Sequence, residues 1–278
     1  MTAAPPQRPI GVFDSGLGGL SVLQSLRAEL PGEDYVYLAD SAHAPYGERG
    51  DAYVTQRTLQ VARELRERHR IKALVVACNT ATTAAIHLLR EAHPDLPLIG
   101  VEPAVKPALA ASRTGCIGVI GTRGTLGSAK FRALLAPLQA QAEFRIQPCD
   151  GLAHAIEAEL LPAPQSESKV IALCLEYTKA LGIFGTEKGQ IDTLVIGCTH
   201  YVFAQSVLRK LLGPDVQLLD TGAPVARQAQ RLLAQHGLLR APGSPPGTVQ
   251  LTSTGDLALL QRAALGWLGL ASHQPALA

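Results

Sequence analysis

The fold is decided by a short stretch that the chain carries twice, Ile10-Gly11-Val12-Phe13-Asp14-Ser15 and Ile117-Gly118-Val119-Ile120-Gly121-Thr122. Each is an apolar run typical of a buried strand, and each is followed by polar residues. Later in each half comes a second matched pair of runs, Leu74-Val75-Val76-Ala77-Cys78-Asn79-Thr80 and Leu194-Val195-Ile196-Gly197-Cys198-Thr199-His200. The repeated pattern indicates an old duplication with an insertion in the second half.

Helical stretches alternate with these and other short strands. They are predicted near residues 21–30, 52–70, 80–93, 128–140, 168–181, 223–236 and 258–268, with one more helical region around Glu157 and another helix after Cys198. This alternation predicts an α/β fold with two similar domains, each a mainly parallel sheet flanked by helices. A length of 278 residues fits two such domains. We assign residues 1–101 plus 215–278 to the first domain and 102–214 to the second, because the terminal elements are too few for a third.

Composition excludes several classes of function. The net charge of +2 gives no strong attraction to nucleic acid or to an anionic membrane. No run approaches the roughly 18 apolar residues of a membrane span. The proline-rich start, residues 1–9, has no apolar signal segment, so a cytoplasmic location is expected. Five cysteines in this length do not form a disulfide framework.

Polar or reactive side chains follow the predicted strands where a ligand would bind, beyond the carboxyl ends of a parallel sheet. The residues in that position are Asp14, Cys78, Thr122 and Cys198. The other cysteines lack this setting and are interpreted as buried packing residues: Cys116, Cys149 and Cys174.

Two thiols in matched settings suit two kinds of chemistry. One is a disulfide with redox function. The other is proton transfer at a stereocentre, in which Cys78 and Cys198 exchange the roles of base and acid. The ordinary thiol pKa of about 8.5 lies near working pH, which suits both directions. Contacts of about 3–3.5 Å to each face of the substrate would place the sulfurs roughly 7 Å apart, too far for a disulfide.

Two of the nearby polar residues, Asp14 and His200, each allow two interpretations. Asp14 is either a helix cap or a group that orients a base. His200 is either an exposed imidazole or a holder of the Cys198 charge or proton. Glu157, in a helical region, has the pattern of a surface carboxylate.

No cofactor and no metal are expected. None of the seven lysines follows a strand, so a pyridoxal Schiff base has no evident anchor. The stretch Gly16-x-Gly18-x-x-Ser21 lacks the third glycine of a dinucleotide loop. The pair Cys198-x-His200 lacks zinc-ligand spacing and a second pair of ligands.

Taken together, these motifs resemble the glutamate racemases, within the cofactor-independent aspartate/glutamate racemase superfamily. The similarity runs from about residue 9 to 260 and depends on the order and spacing of the motifs. The matching stretches are residues 11–19, Pro45-Tyr46-Gly47, residues 77–81, residues 117–122, residues 197–201, Asp220-x-Gly222 and Thr254-Gly255-Asp256.

The resemblance implies two pseudo-twofold related α/β domains with the active site between them, and a homodimer. It implies racemisation of glutamate without cofactor, supplying D-glutamate for peptidoglycan. Cys78 would take the α-proton of D-glutamate, assisted by Asp14. Cys198 would take that of L-glutamate, assisted by His200 and Glu157. The implied substrate-binding residues are Asp14, Ser15, Tyr46, Gly47, Asn79, Thr80, Thr199 and His200.

Two departures from the family pattern stand out. Val202 occupies a position that is often proline, and the sequence around Glu157 matches only loosely. Other functions stay open at this point: a racemase for aspartate or hydantoins, a related decarboxylase, a non-catalytic amino-acid binding protein, and a thiol redox protein.

Overall fold

The computed structural model describes residues 5–160 and 168–270. The first four residues of the proline-rich start lie outside this part of the chain. The strands in chain order are β1 (Ile10–Asp14), β2 (Tyr35–Ala39), β3 (Ala73–Val76), β4 (Leu98–Gly100), β5 (Cys116–Gly121), β6 (Glu143–Pro148), β7 (Thr193–Gly197), β8 (Gln217–Leu219) and β9 (Val249–Ser253).

The helices agree closely with the predicted positions and add two short ones. In chain order they are α1 (Leu20–Glu29), α2 (Asp51–His69), α3 (Asn79–Ala92), α4 (Val105–Ala111), α5 (Arg123–Leu126), α6 (Ala129–Leu135), α7 (Leu152–Ala158), α8 (Lys169–Leu181), α9 (Gln205–Leu212), α10 (Gly222–Gln235) and α11 (Leu257–Leu268). Short 3-10 helices cover Ser41–His43, Tyr46–Glu48 and Thr199–Ala204.

The chain divides into two compact units. Unit 1 runs up to Val101 and resumes at Gly222, and unit 2 comprises Glu102–Thr221. The sheet of unit 1 has the order β4-β3-β1-β2-β9, and that of unit 2 has the order β6-β5-β7-β8. All pairings in both sheets are parallel. The predicted α/β class is therefore confirmed.

Unit 1 has a sheet buried on both faces. Every residue of β1, β2 and β3 is buried, as expected for a parallel sheet covered by helices. On one face, side chains of these strands pack with α2 and α3, and α1 packs against α10. This core holds the carboxyl ends of β1 and β3 side by side.

Unit 2 repeats this plan with its own core. Its central strands β5 and β7 are fully buried, whereas β6 is a partly exposed edge strand. Side chains of β5 and β7 pack with α4, α5 and α6. When its sheet is listed from β8 to β6, the strand order matches β4-β3-β1-β2 of unit 1.

The second boundary between the two units lies later in the chain than the sequence predicted. Sequence analysis assigned residues 215–278 to the first domain, but β8 pairs with β7 in unit 2, through Leu194 opposite Leu218 and Val195 opposite Leu219. The chain returns to unit 1 at Gly222. In the duplicated plan β8 corresponds to β4, which is why it belongs with the second sheet.

Candidate active site

Chemistry-bearing side chains lie at the carboxyl end of each sheet. In unit 1, Asp14 ends β1 and Cys78 follows β3, and these two strands are hydrogen-bonded neighbours. In unit 2, Thr122 follows β5 and Cys198 follows β7, again on neighbouring strands. Ligands of open α/β sheets bind at such ends.

Cys78 lies at the start of α3 and is only 6% exposed. Its Sγ accepts a hydrogen bond from the Ala81 backbone N–H at 3.5 Å, so the thiol occupies the N-cap position. A helix N-terminus favours a negatively charged sulfur. Ser15 Oγ lies 3.5 Å from the same sulfur.

Asp14 is fully buried and holds the loop that follows β1. Its carboxylate accepts from the backbone N–H of Ser15 at 2.7 Å and from that of Gly19. A Cβ at Gly19 would lie 2.7 Å from the Asp14 Cβ, so only glycine permits this close approach. Ser15 Oγ also donates to Asp14 at 3.3 Å, which links the carboxylate to Cys78.

Asn79 and Thr80 begin α3, directly after the thiol, and both are buried. The Asn79 amide is 4% exposed, and neither its oxygen nor its nitrogen has a hydrogen-bond partner within the described residues. Buried polar groups in native proteins are nearly always paired, so this amide has hydrogen-bonding capacity that no described residue uses. The amide is suited to bind a charged or polar small molecule.

Cys198 has a different set of neighbours. Its Sγ lies 3.9 Å from His200 Nδ1, and His200 Nε2 donates to Glu157 Oε1 at 2.6 Å. Thr199, between the two residues, is buried. The structure thus brings Cys198, His200 and Glu157 into one chain of contacts, although Glu157 had the sequence pattern of a surface carboxylate.

The charge state of His200 follows from these contacts. Burial alone would lower the imidazole pKa, but the hydrogen bonds to Cys198 and Glu157 outweigh it and raise the pKa well above its ordinary value. The raised pKa favours the imidazolium form of His200. A cation beside a sulfur stabilises the thiolate, which is the form that abstracts protons.

The side chain of Tyr46 is buried in the core of unit 1 and is not accessible to a ligand. The ring packs near Phe13, with centroids 6.2 Å apart, and the hydroxyl donates to Asp40 at 2.6 Å. Any contact that this segment makes with a small molecule therefore involves the backbone of Tyr46 and Gly47. The peptide bond between Ala44 and Pro45 is cis.

A sequence model of the Asp/Glu/hydantoin racemase family matches residues 10–229. The chain belongs to this family. It is therefore an isomerase of the racemase class, and the resemblance found in the sequence is confirmed.

Glutamate racemases from other organisms align with most of the length of this chain. The glutamate racemase of Ectopseudomonas mendocina (strain ymp) is 48% identical over 255 residues, which is 92% of each chain. That of Pseudomonas aeruginosa is 47% identical over 230 residues, 83% of each chain.

Solved structures of glutamate racemases show the same fold. Isoform RacE1 from Bacillus anthracis matches with a TM-score of 0.83 and 32% identity over 96% of each chain. The Escherichia coli enzyme, in complex with L-glutamate and the activator UDP-MurNAc-ala, matches with a TM-score of 0.77 and 30% identity over 94% of each chain.

Two charged residues of unit 1, Asp40 and Arg57, form a buried ion pair that the sequence analysis did not single out. Asp40 directly follows β2, so the strand-end rule that selected Asp14 would have found it. Arg57 lies in the middle of α2, where nothing in the local pattern distinguishes it from a solvated charge.

The three remaining cysteines are buried free thiols, as expected. Cys149 nevertheless directly follows β6, so the statement that it lacks a strand-end setting was wrong. Its thiol donates to the Gln147 carbonyl at 3.4 Å, and burial raises its pKa far above the ordinary value. Burial also raises the pKa of Cys174 to about 11. Neither thiol is suited to abstract protons at neutral pH.

Two kinds of feature are absent from the described residues. Within residues 5–160 and 168–270, no group of three or more His, Cys, Asp or Glu side chains is arranged to hold a metal ion. No described helix has the length and apolar character needed to cross a membrane.

Proposed function

We propose that this racemase interconverts L- and D-glutamate by a two-base reaction that uses Cys78 and Cys198. The observation that carries the proposal is the doubled strand-end thiol at Cys78 and Cys198, in a family of Asp, Glu and hydantoin racemases. Support for glutamate comes from relatives named glutamate racemase and from neighbours solved with D-glutamate or L-glutamate.

The reaction needs only proton transfers. With D-glutamate, the Cys78 thiolate removes the α-proton, and the Cys198 thiol delivers its proton to the opposite face of the α-carbon. With L-glutamate, the two sulfurs exchange roles. One C–H bond breaks and one forms, so the net change is inversion at the α-carbon without oxidation or reduction.

The helpers differ between the two sulfurs. Asp14 assists Cys78, with Ser15 linking the two groups. The imidazolium of His200, held by Glu157, stabilises negative charge on Cys198. General acid and base groups of this kind contribute about 10²- to 10⁴-fold each to a rate.

Binding of the substrate's ammonium and carboxylates is assigned to polar groups around the strand ends. The unpaired amide of Asn79 is the best supported of these groups. The full set is Asp14, Ser15, Tyr46, Gly47, Asn79, Thr80, Thr199 and His200. We further propose that the reaction proceeds without cofactor, and that its D-glutamate supplies peptidoglycan synthesis in the cytoplasm.

The test is α-proton exchange in D2O. We expect NMR to show deuterium entering the α-position of L-glutamate and of D-glutamate, with loss of optical activity. Aspartate and a hydantoin, tested in parallel, should exchange much more slowly. No exchange with either glutamate enantiomer would contradict the proposal. Faster exchange with aspartate than with glutamate would show that aspartate is the substrate.

Single cysteine variants test the two-base scheme. Cys78→Ala and Cys198→Ala should each lower the rate of racemisation by about 10²-fold or more, because each removes one proton-transfer group. Cys116→Ala is the matched control, since Cys116 is an equally buried thiol at the amino end of β5. Wild-type racemisation by either strand-end variant would rule out the scheme.

A further inference from the structure

We propose that Asp40 is a positioning residue that, together with Arg57 and Thr254, fixes the Tyr46-Gly47 segment in the geometry that binds substrate. The inference rests on the proposed function, because it concerns how the same site holds glutamate. It adds residues to which sequence analysis assigned no role in the site.

Asp40 lies at the correct edge of the sheet. It follows β2 directly, its side chain is fully buried, and its backbone N–H donates to the Asp14 carbonyl at 2.9 Å. β2 pairs with β1, so Asp40 and Asp14 lie side by side at the carboxyl end of unit 1.

Donors converge on both carboxylate oxygens of Asp40. Oδ1 accepts from Arg57 Nη2 at 2.7 Å and from Thr254 Oγ1 at 2.9 Å, and it lies 3.0 Å from His43 Nδ1. Oδ2 accepts from Arg57 Nε at 3.1 Å and from the Tyr46 hydroxyl at 2.6 Å. A carboxylate with a bidentate guanidinium and further donors has little freedom to move.

The carboxylate is charged despite its burial. Burial by itself would raise the pKa of Asp40, but hydrogen bonds from Arg57, Tyr46 and Thr254 outweigh it and hold the pKa below its ordinary value. A buried ion pair adds little net stability compared with apolar residues of similar size. Its contribution here is therefore to geometry.

The hydrogen bonds around Asp40 and Thr254 hold the loop at two places, at Tyr46 and at Ala42. The Tyr46 hydroxyl ends on Asp40 while its ring is buried near Phe13, so the side chain anchors the 3-10 helix Tyr46–Glu48. Thr254 also accepts from the Ala42 backbone N–H at 3.2 Å, which ties down the start of the same loop. Loss of Arg57 or Thr254 would loosen the backbone of Tyr46 and Gly47 without touching the thiols.

The first experiment compares two arginines of α2. Arg57→Gln should raise KM about tenfold for both glutamate enantiomers, equivalent to about 1.4 kcal/mol of lost binding, while kcat changes less than about twofold. Arg66→Gln is the control, because Arg66 lies on a more exposed part of the same helix and makes a similar bidentate pair with Asp95 in the loop after α3. Its KM should equal that of the wild type, and Arg57→Lys should give an intermediate KM.

A second pair of variants covers the case in which Arg57→Gln does not fold. Thr254→Val removes one hydroxyl donor to Asp40, whereas Thr252→Val removes a hydroxyl that donates to the Tyr37 carbonyl on the neighbouring strand at 3.0 Å. We expect KM to rise about threefold in the first variant, a shift equivalent to about 0.65 kcal/mol, and to stay unchanged in the second.

Two results would overturn the inference: KM unchanged in folded Arg57 and Thr254 variants, or kcat lowered with KM unchanged. Calorimetric titration with D-glutamate gives the same comparison as a Kd, without turnover. A wild type that binds glutamate but shows no α-exchange would contradict the proposed reaction and leave the Kd comparison valid. A wild type that does not bind glutamate would overturn both.

Discussion

At the scale of single residues, the two thiols are supported by different chemistry. Cys78 is held by a helix N-terminus and a serine, and Cys198 lies beside a histidine that is held by a carboxylate. Sequence alone could predict both sulfurs, because each follows an apolar strand in a repeated pattern. It could not show that Glu157 contacts His200, because that pairing joins residues 43 positions apart.

The pairing of His200 with Glu157 makes a prediction about pH. Glu157→Gln removes a charge that raises the His200 pKa, so NMR titration should show a lower pKa for His200 in the variant. A raised pKa in the folded state stabilises the fold at pH values below the unfolded pKa of about 6.5. That stabilisation is lost as pH rises through the folded pKa.

Unfolding by urea at several pH values measures the same effect. The difference in free energy of unfolding between wild type and Glu157→Gln should be largest below about pH 6.5 and smaller at alkaline pH. Glu159→Gln, two residues further along the chain, is the control and should keep the wild-type pH dependence. A pH-independent difference for the Glu157 variant would show that the carboxylate does not set the charge of His200.

At the scale of elements, the turn between β6 and α7 sets where Glu157 lies. The Tyr201 hydroxyl donates to the Cys149 carbonyl at 2.9 Å, and the Tyr177 hydroxyl donates to the Asp150 carbonyl at 2.7 Å. Tyr201 comes from the 3-10 helix that also carries His200. The 3-10 helix thus supplies both the His200 imidazole and the Tyr201 hydrogen bond, which anchors the turn before α7, the helix that carries Glu157.

Removal of the buried hydroxyl should weaken this turn. Tyr201→Phe is expected to lower the free energy of unfolding by about 1 kcal/mol, the typical net contribution of one buried hydrogen bond. Tyr177→Phe removes the neighbouring, more exposed bond and should have less than half that effect. Urea unfolding of both variants measures the difference, and equal losses would mean that burial of the Tyr201 bond adds nothing.

Most elements were predictable from local pattern, and the two that were missed have physical reasons. The helix α4 contains Pro107, which argues against a helix in sequence, but this proline lies in the first turn, where no backbone N–H is needed. The helix α5 has only four residues, too few to show a helical period. The long helices α2, α3 and α8 show such a period and lie within a residue or two of their predicted bounds.

At the scale of the whole molecule, the duplicated strand order explains what sequence could and could not give. Two similar α/β domains followed from the repeated motifs, because those motifs lie on the central strands β1, β3, β5 and β7. The place of β8 did not follow, because a strand of three residues carries no signal of its partner. Pairing is a property of the folded sheet, and here it assigns β8 to β7.

This boundary predicts how fragments behave. Residues 102–221 form a contiguous unit with their own sheet and core, so the isolated fragment should fold and unfold cooperatively in urea, followed by circular dichroism. A fragment of residues 102–214 lacks β8 and leaves β7 as an edge strand that pairs only with β5. Loss of several hydrogen bonds and of buried apolar area should lower its free energy of unfolding by roughly 2–4 kcal/mol. If the two fragments were equally stable, β8 would contribute nothing to unit 2, and the boundary at residue 215 would be the better one.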